Sequence, residues 1–188
     1  MRNCIFLDNH DLDRFYSVIG EDFQKYKMAI NLLLTQRGIP QLYYGSEILM
    51  KNFKNPSDAE VRRDFPGGWE GDQENKFSPA GRNAQENEAF SYVKALAGFR
   101  KTSSAIGSGK LMQYLPKEGV YTYFRYDSKQ TVMVISHTGS QPFKPDWNYL
   151  AERTNGFTKL RNVITGEIIP MSSLDVKPRE SFVFELLK

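Results

Sequence analysis

The chain has 188 residues, 40% hydrophobic and 13% aromatic, with 25 basic against 22 acidic side chains and a formal charge of +3. That content suits a packed core and excludes wholesale disorder. The charge is spread without a basic stripe, which argues against nucleic acid as a partner. No apolar run approaches the ~20 residues of a transmembrane helix. The single cysteine, Cys4, rules out an intramolecular disulfide and any multi-cysteine metal site. Nothing in the sequence calls for a cofactor or a metal.

Phe6-Leu7-Asp8-Asn9-His10-Asp11, with Arg14 shortly after, runs from apolar into ionisable residues, as a short buried strand does where it ends in a functional loop. Taken alone, the same residues also describe an ordinary turn. Cys4 falls on the apolar side of this strand and is expected to be a buried small hydrophobe. Met1-Arg2-Asn3-Cys4 does not open a signal peptide. Strand-like sequence nearly at the first residue gives the expectation of a chain that starts in mid-fold, as an engineered fragment does. Periplasmic, secreted and cytoplasmic locations all stay open.

Phe23, Tyr26, Ile30, Leu33 and Leu34 recur at three- and four-residue steps and predict an amphipathic helix over about 22–36. Acidic residues stand at its start, and Arg37-Gly38 with Pro40 stop it. Ile39 to Gly45 then reads as a second buried strand, with Glu47 in the loop behind it. Strand, helix and strand make one βαβ unit and imply a parallel sheet with a right-handed crossover. Two such strands do not make a stable parallel sheet by themselves.

Residues 51–82 form a long loop rich in Asn, Asp, Gly and Pro, of the kind that is usually functional or disordered. Trp69 there is either a platform on which a sugar ring stacks or the plug that pins the loop. Arg62 and Arg63 are expected in surface ion pairs with Asp58, Glu60 and Asp64. A second helix is predicted over about 84–101, with Phe90, Val93, Leu96 and Ala97 on its buried face. A domain boundary is placed in the small, polar segment 102–109.

Beyond it, 111–115, 120–126 and 131–135 are β-branched and aromatic runs, the last two joined by a turn at Asp127-Ser128-Lys129-Gln130. Residues 160–164 and 167–169 flank Thr165-Gly166 as a further hairpin, and 181–186 is a final strand. Short strands with turns at these spacings predict an antiparallel β-sandwich. His137 has no partner ligand nearby and is expected to be structural.

The order of these elements resembles the carboxy-terminal third of the α-amylase family of glycoside hydrolases. In that family a (β/α)8 barrel carries the active site and a β-sandwich, domain C, follows it. Phe6 to Asp11 is similar to the family's fourth signature, at the end of the seventh barrel strand. Gly38 to Glu47 is similar to the eighth-strand motif, and Leu96 to Lys101 to the last barrel helix. Asp64 to Trp69 with Gly71-Asp72 resembles neopullulanase and cyclomaltodextrinase-like members.

The resemblance implies an α+β chain: a partial (β/α)8 barrel remnant over residues 1–105 and domain C over 106–188. It implies the retaining mechanism, with a nucleophile and a general acid around an oxocarbenium-like transition state. Asp11 matches the third carboxylate, which stabilises that state, and His10 would donate to the same sugar. Asn9 is assigned to the turn and to the substrate loop, and Arg14 to the substrate loop, orienting a neighbouring carboxylate. Glu47 is assigned either substrate contact or a structural hydrogen bond, and Trp69 sugar binding.

The family's nucleophile and general acid lie on the fourth and fifth strands, which this chain would lack. The expectation is therefore a portion of an enzyme acting on α-glucan or malto-oligosaccharide, inactive alone. Its exposed barrel surfaces would favour self-association. The alternatives are a non-catalytic glucan-binding module using Trp69, Trp147 and Tyr149, and a structural β-sandwich.

Overall fold

The computed structural model describes residues 3–188. Met1 and Arg2, on which the expectation about the chain's start bears, lie outside them. The described residues divide into two compact units. One comprises Ile30–Arg37 and Ala95–Lys188, and the rest form the other.

The chain opens with β1 (Cys4–Phe6), a single turn α1 (Phe15–Val18), α2 (Phe23–Thr35) and β2 (Ile39–Gln41). β2 pairs parallel to β1, with Cys4, Ile5 and Phe6 opposite Ile39, Pro40 and Gln41. The expected βαβ unit is present. Asp22 starts α2 through capping as well as charge, its Oδ1 accepting the N–H groups of Gln24 and Lys25 at 3.0 and 3.2 Å. Gly38 enters β2 at φ +130°, and a Cβ there would fall 2.9 Å from the Asn3 carbonyl oxygen. Only glycine lets the two strands meet so closely.

Cys4 is a correction. Its side chain is exposed, because β1 alternates and only Ile5 turns partly inward. The thiol instead donates to Gln41 Oε1 at 3.4 Å.

Residues 51–82 contain single 3-10 turns at Asp58–Val61 and Pro79–Gly81 and no strand. The loop is pinned by Lys76, which is buried and paired with Glu74 and Glu86 at 2.9 and 2.8 Å. The Phe65 and Phe77 rings meet at 4.5 Å. Trp69 is 68% exposed, so the plug reading is corrected. Asp72 holds the turn instead, accepting from the Gly67 and Trp69 N–H groups at 2.6 and 3.2 Å.

α3 (Ala84–Thr102) begins on a reciprocal cap: Asn83 Oδ1 accepts from Glu86 N–H, and Glu86 Oε2 from Asn83 N–H, at 2.9 and 2.8 Å. Its buried face is Ala89, Tyr92, Val93 and Leu96. Phe90 is only half-buried and carries the Arg82 guanidinium over its ring, and Ala97 is exposed. Val93 and Leu96 thus hold the expected face, and Ala89 and Tyr92 complete it in place of Phe90 and Ala97, because small and amphipathic residues leave the edges of the hydrophobic stripe ambiguous.

After α4 (Ser104–Ser108) come β3 (Lys110–Gln113), β4 (Val120–Tyr126), β5 (Thr131–His137), α5 (Ala151–Thr154), β6 (Lys159–Asn162), β7 (Ile168–Pro170) and β8 (Ser181–Leu187). The six strands form one antiparallel sheet in the order β3-β4-β5-β8-β6-β7. On one face Phe124, Met133, Ile135, Phe184 and Leu186 pack with Leu150, Met171, Leu174 and Val176. Leu150 precedes α5, and Met171, Leu174 and Val176 follow β7, where Val176 forms an isolated bridge with Phe143.

The alternate positions Tyr123, Val132, Val134 and Val183 are buried as well. On that face Arg125 donates to the carbonyls of Thr35, Ile106 and Gly109 at 2.9, 2.9 and 3.0 Å, and Thr35 and Tyr123 share a hydrogen bond. His137 is fully buried. Its Nδ1 accepts from Gly139 N–H at 2.9 Å, which leaves Nε2 to donate to the Gln141 carbonyl at 2.6 Å. It shapes a turn.

Candidate functional site

The loop after β1 is built around a buried carboxylate that the sequence reading passed over. Asp8 is 3% exposed. It accepts the first N–H of α1, from Phe15, at 2.9 Å, and the Ser46 hydroxyl at 3.2 and 3.3 Å. Burial pushes its pKa up. The Phe15 N–H, the Ser46 hydroxyl and the Arg14 guanidinium pull it back without cancelling the rise. Ser46 is fixed in turn, its carbonyl accepting from the buried Tyr26 hydroxyl at 2.8 Å.

Arg14 corrects its own assignment. It is 1% exposed and has no surface to offer a substrate. The guanidinium lies over the Tyr43 and Tyr44 rings at 4.2 and 4.7 Å and donates through Nη1 to the Tyr44 carbonyl at 2.5 Å. The neighbouring carboxylate whose charge it feels is Asp8. Together Asp8 and Arg14 tie the loop after β1 to the loop after β2.

Above this base the loop turns outward. Asn9 Oδ1 accepts the Asp11 N–H at 2.8 Å, an Asx turn that gives Asn9 its place. His10 and Asp11 are adjacent and exposed, with imidazole Nε2 3.3 Å from Asp11 Oδ2. Arg62 holds both: Nε donates to the His10 carbonyl at 2.8 Å, and Nη2 to Asp11 Oδ1 at 3.0 Å. The same Nη2 donates to Asp58 at 2.7 Å. Lys54 donates to the Asp11 carbonyl at 2.9 Å and pairs with Asp58 at 3.2 Å. That lysine, with Arg62 adding, holds the Asp58 carboxyl below its usual range.

The expected ion pairs of Arg62 with Asp58 and Arg63 with Glu60 are therefore present. Arg62 has the further role of orienting Asp11, and no local sequence signal marks it, since its partner is 51 residues away. Glu47 is half-buried in the 3-10 turn Ser46–Ile48, where its charge helps raise the Tyr26 hydroxyl pKa after burial. Trp69 stands in solvent on its own loop.

Chemically the loop offers one exposed carboxylate, oriented by a cation, beside an imidazole. Asp13 and Asp58 are already engaged, the first by the Lys54 N–H at 2.7 Å. Such a group can accept hydrogen bonds from hydroxyls and stabilise developing positive charge. Among the described residues no group of His, Cys, Asp and Glu is placed to hold a metal ion, and no helix is long and apolar enough to cross a membrane.

Residues 1–104 match the α-amylase catalytic domain and residues 111–185 the cyclo-malto-dextrinase C-terminal domain. A cyclomaltodextrin glucanotransferase of Geobacillus stearothermophilus is 28% identical over 170 residues, which is 89% of this chain and 21% of that protein. An α-amylase of Niallia circulans is 32% identical over 120 residues, 64% of this chain and 19% of that one. This chain thus spans about a fifth of the length of the curated relatives it matches.

Among solved structures, an Anoxybacillus α-amylase superposes with a TM-score of 0.74 at 20% identity, covering 98% of this chain and 38% of that one. A Geobacillus thermoleovorans α-amylase complexed with acarbose gives 0.71 at 19%, covering 98% and 39%. Both likenesses speak to fold alone. The catalytic-domain match by itself takes in more than half of the residues, and the chain belongs to the α-amylase family of glycoside hydrolases.

Proposed function

We propose that this chain is the carboxy-terminal portion of a retaining enzyme acting on α-glucan or malto-oligosaccharide. The end of its catalytic barrel would be residues 1–105 and domain C residues 106–188. Asp11 is the transition-state-stabilising carboxylate, His10 donates to the same sugar, and Asn9 sets the turn that presents them. The observation that carries this reading is the exposed Asp11 carboxylate in the loop that follows β1, gripped by Arg62 beside His10. A carboxylate in the loop after a barrel strand reads as functional. Trp69 is assigned to sugar binding, and Glu47 to substrate contact or a structural hydrogen bond.

Retaining hydrolysis needs two carboxyl groups around the scissile bond, and Asp11 is neither of the pair in this reading. The chain alone should release no sugar from starch, pullulan or cyclodextrins, while acarbose should perturb the His10 and Asp11 resonances. Sugar release that vanishes in Asp11→Asn, or acarbose shifts that leave this loop untouched, would overturn the assignment.

The exposed Phe6, Ile39, Phe53 and Phe77 support self-association of the isolated chain. Light scattering should report a species larger than a monomer at micromolar concentration.

A further inference from the structure

The turn that leads from α5 into β6 is Thr154-Asn155-Gly156-Phe157. Asn155 has φ −56° and ψ 131°, and Gly156 has φ +86°. The Phe157 N–H donates to the Thr154 carbonyl at 3.1 Å. Those angles and that bond define a type II turn, with glycine where positive φ is needed. No other asparagine in the sequence is followed by glycine.

The ends of the turn are held and its middle is open. Thr154 is buried, with its hydroxyl donating to the Leu150 carbonyl at 3.1 Å, and Phe157 packs against the core cluster of the antiparallel sheet. Asn155 and Gly156 are both exposed, and a Cβ on Gly156 would meet nothing within 4 Å. The Asn155 N–H goes to the Ala151 carbonyl at 3.0 Å, whereas the Gly156 N–H donates to no backbone carbonyl among the described residues. Other asparagines are tied into the fold: the side-chain oxygens of Asn9, Asn83 and Asn162 accept from the N–H groups of Asp11, Glu86 and Ile164 at 2.8, 2.9 and 2.9 Å.

At ψ 131° the Gly156 nitrogen is turned away from the Asn155 side chain. Rotation of the peptide between them brings that nitrogen onto Cγ. Such rotation breaks no backbone hydrogen bond of the Gly156 N–H, and glycine accepts either sign of φ on the way. We propose that Asn155-Gly156 is a site of spontaneous covalent modification, which converts Asn155 to isoaspartate and loosens the entry to β6. The Gly156 nitrogen gives its proton to hydroxide and bonds to Cγ. The Cγ–Nδ2 bond breaks, and Nδ2 takes a proton and leaves as ammonia. Water then opens the five-membered imide at either carbonyl. Opening at the main-chain carbonyl leaves the backbone running through the side chain, one methylene longer and with a new carboxylate, and opening at Cγ gives aspartate. No redox change is involved.

The neighbours set where the change is felt. Thr158 donates to the Leu187 carbonyl and accepts from the Met171 N–H, both at 2.9 Å. A backbone one methylene longer no longer fits the turn that closes on Thr154, and it pulls on both bonds of Thr158.

The test holds the whole chain for weeks in mildly alkaline buffer and follows the tryptic peptide 154–159, bounded by Arg153 and Lys159. Its amide should be replaced by a carboxyl, as isoaspartate and aspartate, at a rate proportional to hydroxide. In the modified fraction the Thr158 and Met171 amides should exchange hydrogen about tenfold faster, while those of β4 and β5 are unchanged. Asn155→Gln keeps an exposed amide but needs a larger, slower-closing ring, and should leave the peptide intact and Thr158 protected. A parallel sample in guanidinium chloride separates the turn from the dipeptide. Product in the unfolded chain alone would mean that the folded turn locks the Gly156 nitrogen, and would overturn the site. Isoaspartate at 155 with Thr158 and Met171 still fully protected would overturn the loosening of β6.

Discussion

The two sheets among the described residues have opposite surroundings. β1 and β2, Cys4-Ile5-Phe6 and Ile39-Pro40-Gln41, each run exposed, half-buried, exposed. β4 and β5 are seven-residue strands with nearly every position buried on both faces. Parallel strands read as continuous apolar runs because they are normally covered on both sides. Here Phe6 and Ile39 remain 45% and 56% exposed. The loop that carries Asp11 therefore leads off the less buried sheet, while the larger core lies in the antiparallel one.

The largest expected effect follows from that division. Phe124 is fully buried in the cluster beneath β4 and β5, and Phe124→Ala should cost about 3–5 kcal/mol in urea unfolding. Phe6→Ala, on the exposed strand, should cost less than about 1 kcal/mol. Equal losses for the two would break the comparison, since Phe6 would then be buried by something in solution, such as a second copy of the chain.

How legible these regions were in the sequence follows the same line. β4 occurs over the residues expected, Val120–Tyr126, because a run of β-branched and aromatic residues between Gly119 and an Asp127 turn leaves little choice. Asp127 Oδ1 does accept from the N–H groups of Lys129 and Gln130. α2 and α3 fall within a residue of their expected ends, set by a local aspartate and a local Asn–Glu box. Facing is another matter. Cys4 and Ala97 point away from where apolar character would put them, since what covers a strand or helix face is decided by residues distant in the chain.

The site divides in the same way. Asn9-His10-Asp11 is a local motif, contiguous in the sequence. Asp8 and Arg62 act through partners 38 and 51 residues away, and periodicity carries no trace of those contacts. An aspartate following an apolar strand was the one available hint.

Asp8 supplies the next test. Burial raises its pKa from an ordinary value of 3.8, so the fold binds this proton more tightly than the unfolded chain does. Its contribution to stability is complete below about pH 3.8 and is lost as pH climbs through the raised value. Asp8→Asn cannot titrate. The stability of the natural chain relative to Asp8→Asn should therefore fall as pH rises from 3.5 to about 7, read as the difference between paired melting curves. A difference that grows with pH would mean that the Phe15, Ser46 and Arg14 contacts outweigh burial.

The smallest effect on stability is expected at Arg62, and it sharpens the division most. Its pairs with Asp11 and Asp58 are exposed, and exposed pairs contribute about 0–1 kcal/mol. Arg62→Ala should lower the melting temperature by no more than about 4 °C in a chain of this size. The same guanidinium fixes the His10 carbonyl and the Asp11 carboxylate, so its loss should broaden the resonances of residues 9–12 while those of β4 and β5 stay sharp. Arg62→Lys should restore less than half of that order, since one ammonium cannot span a carbonyl and two carboxylates as the planar fork does. A large drop in melting temperature with an unchanged loop would make Arg62 a structural residue and leave Asp11 held by its Asx turn, Lys54 and His10.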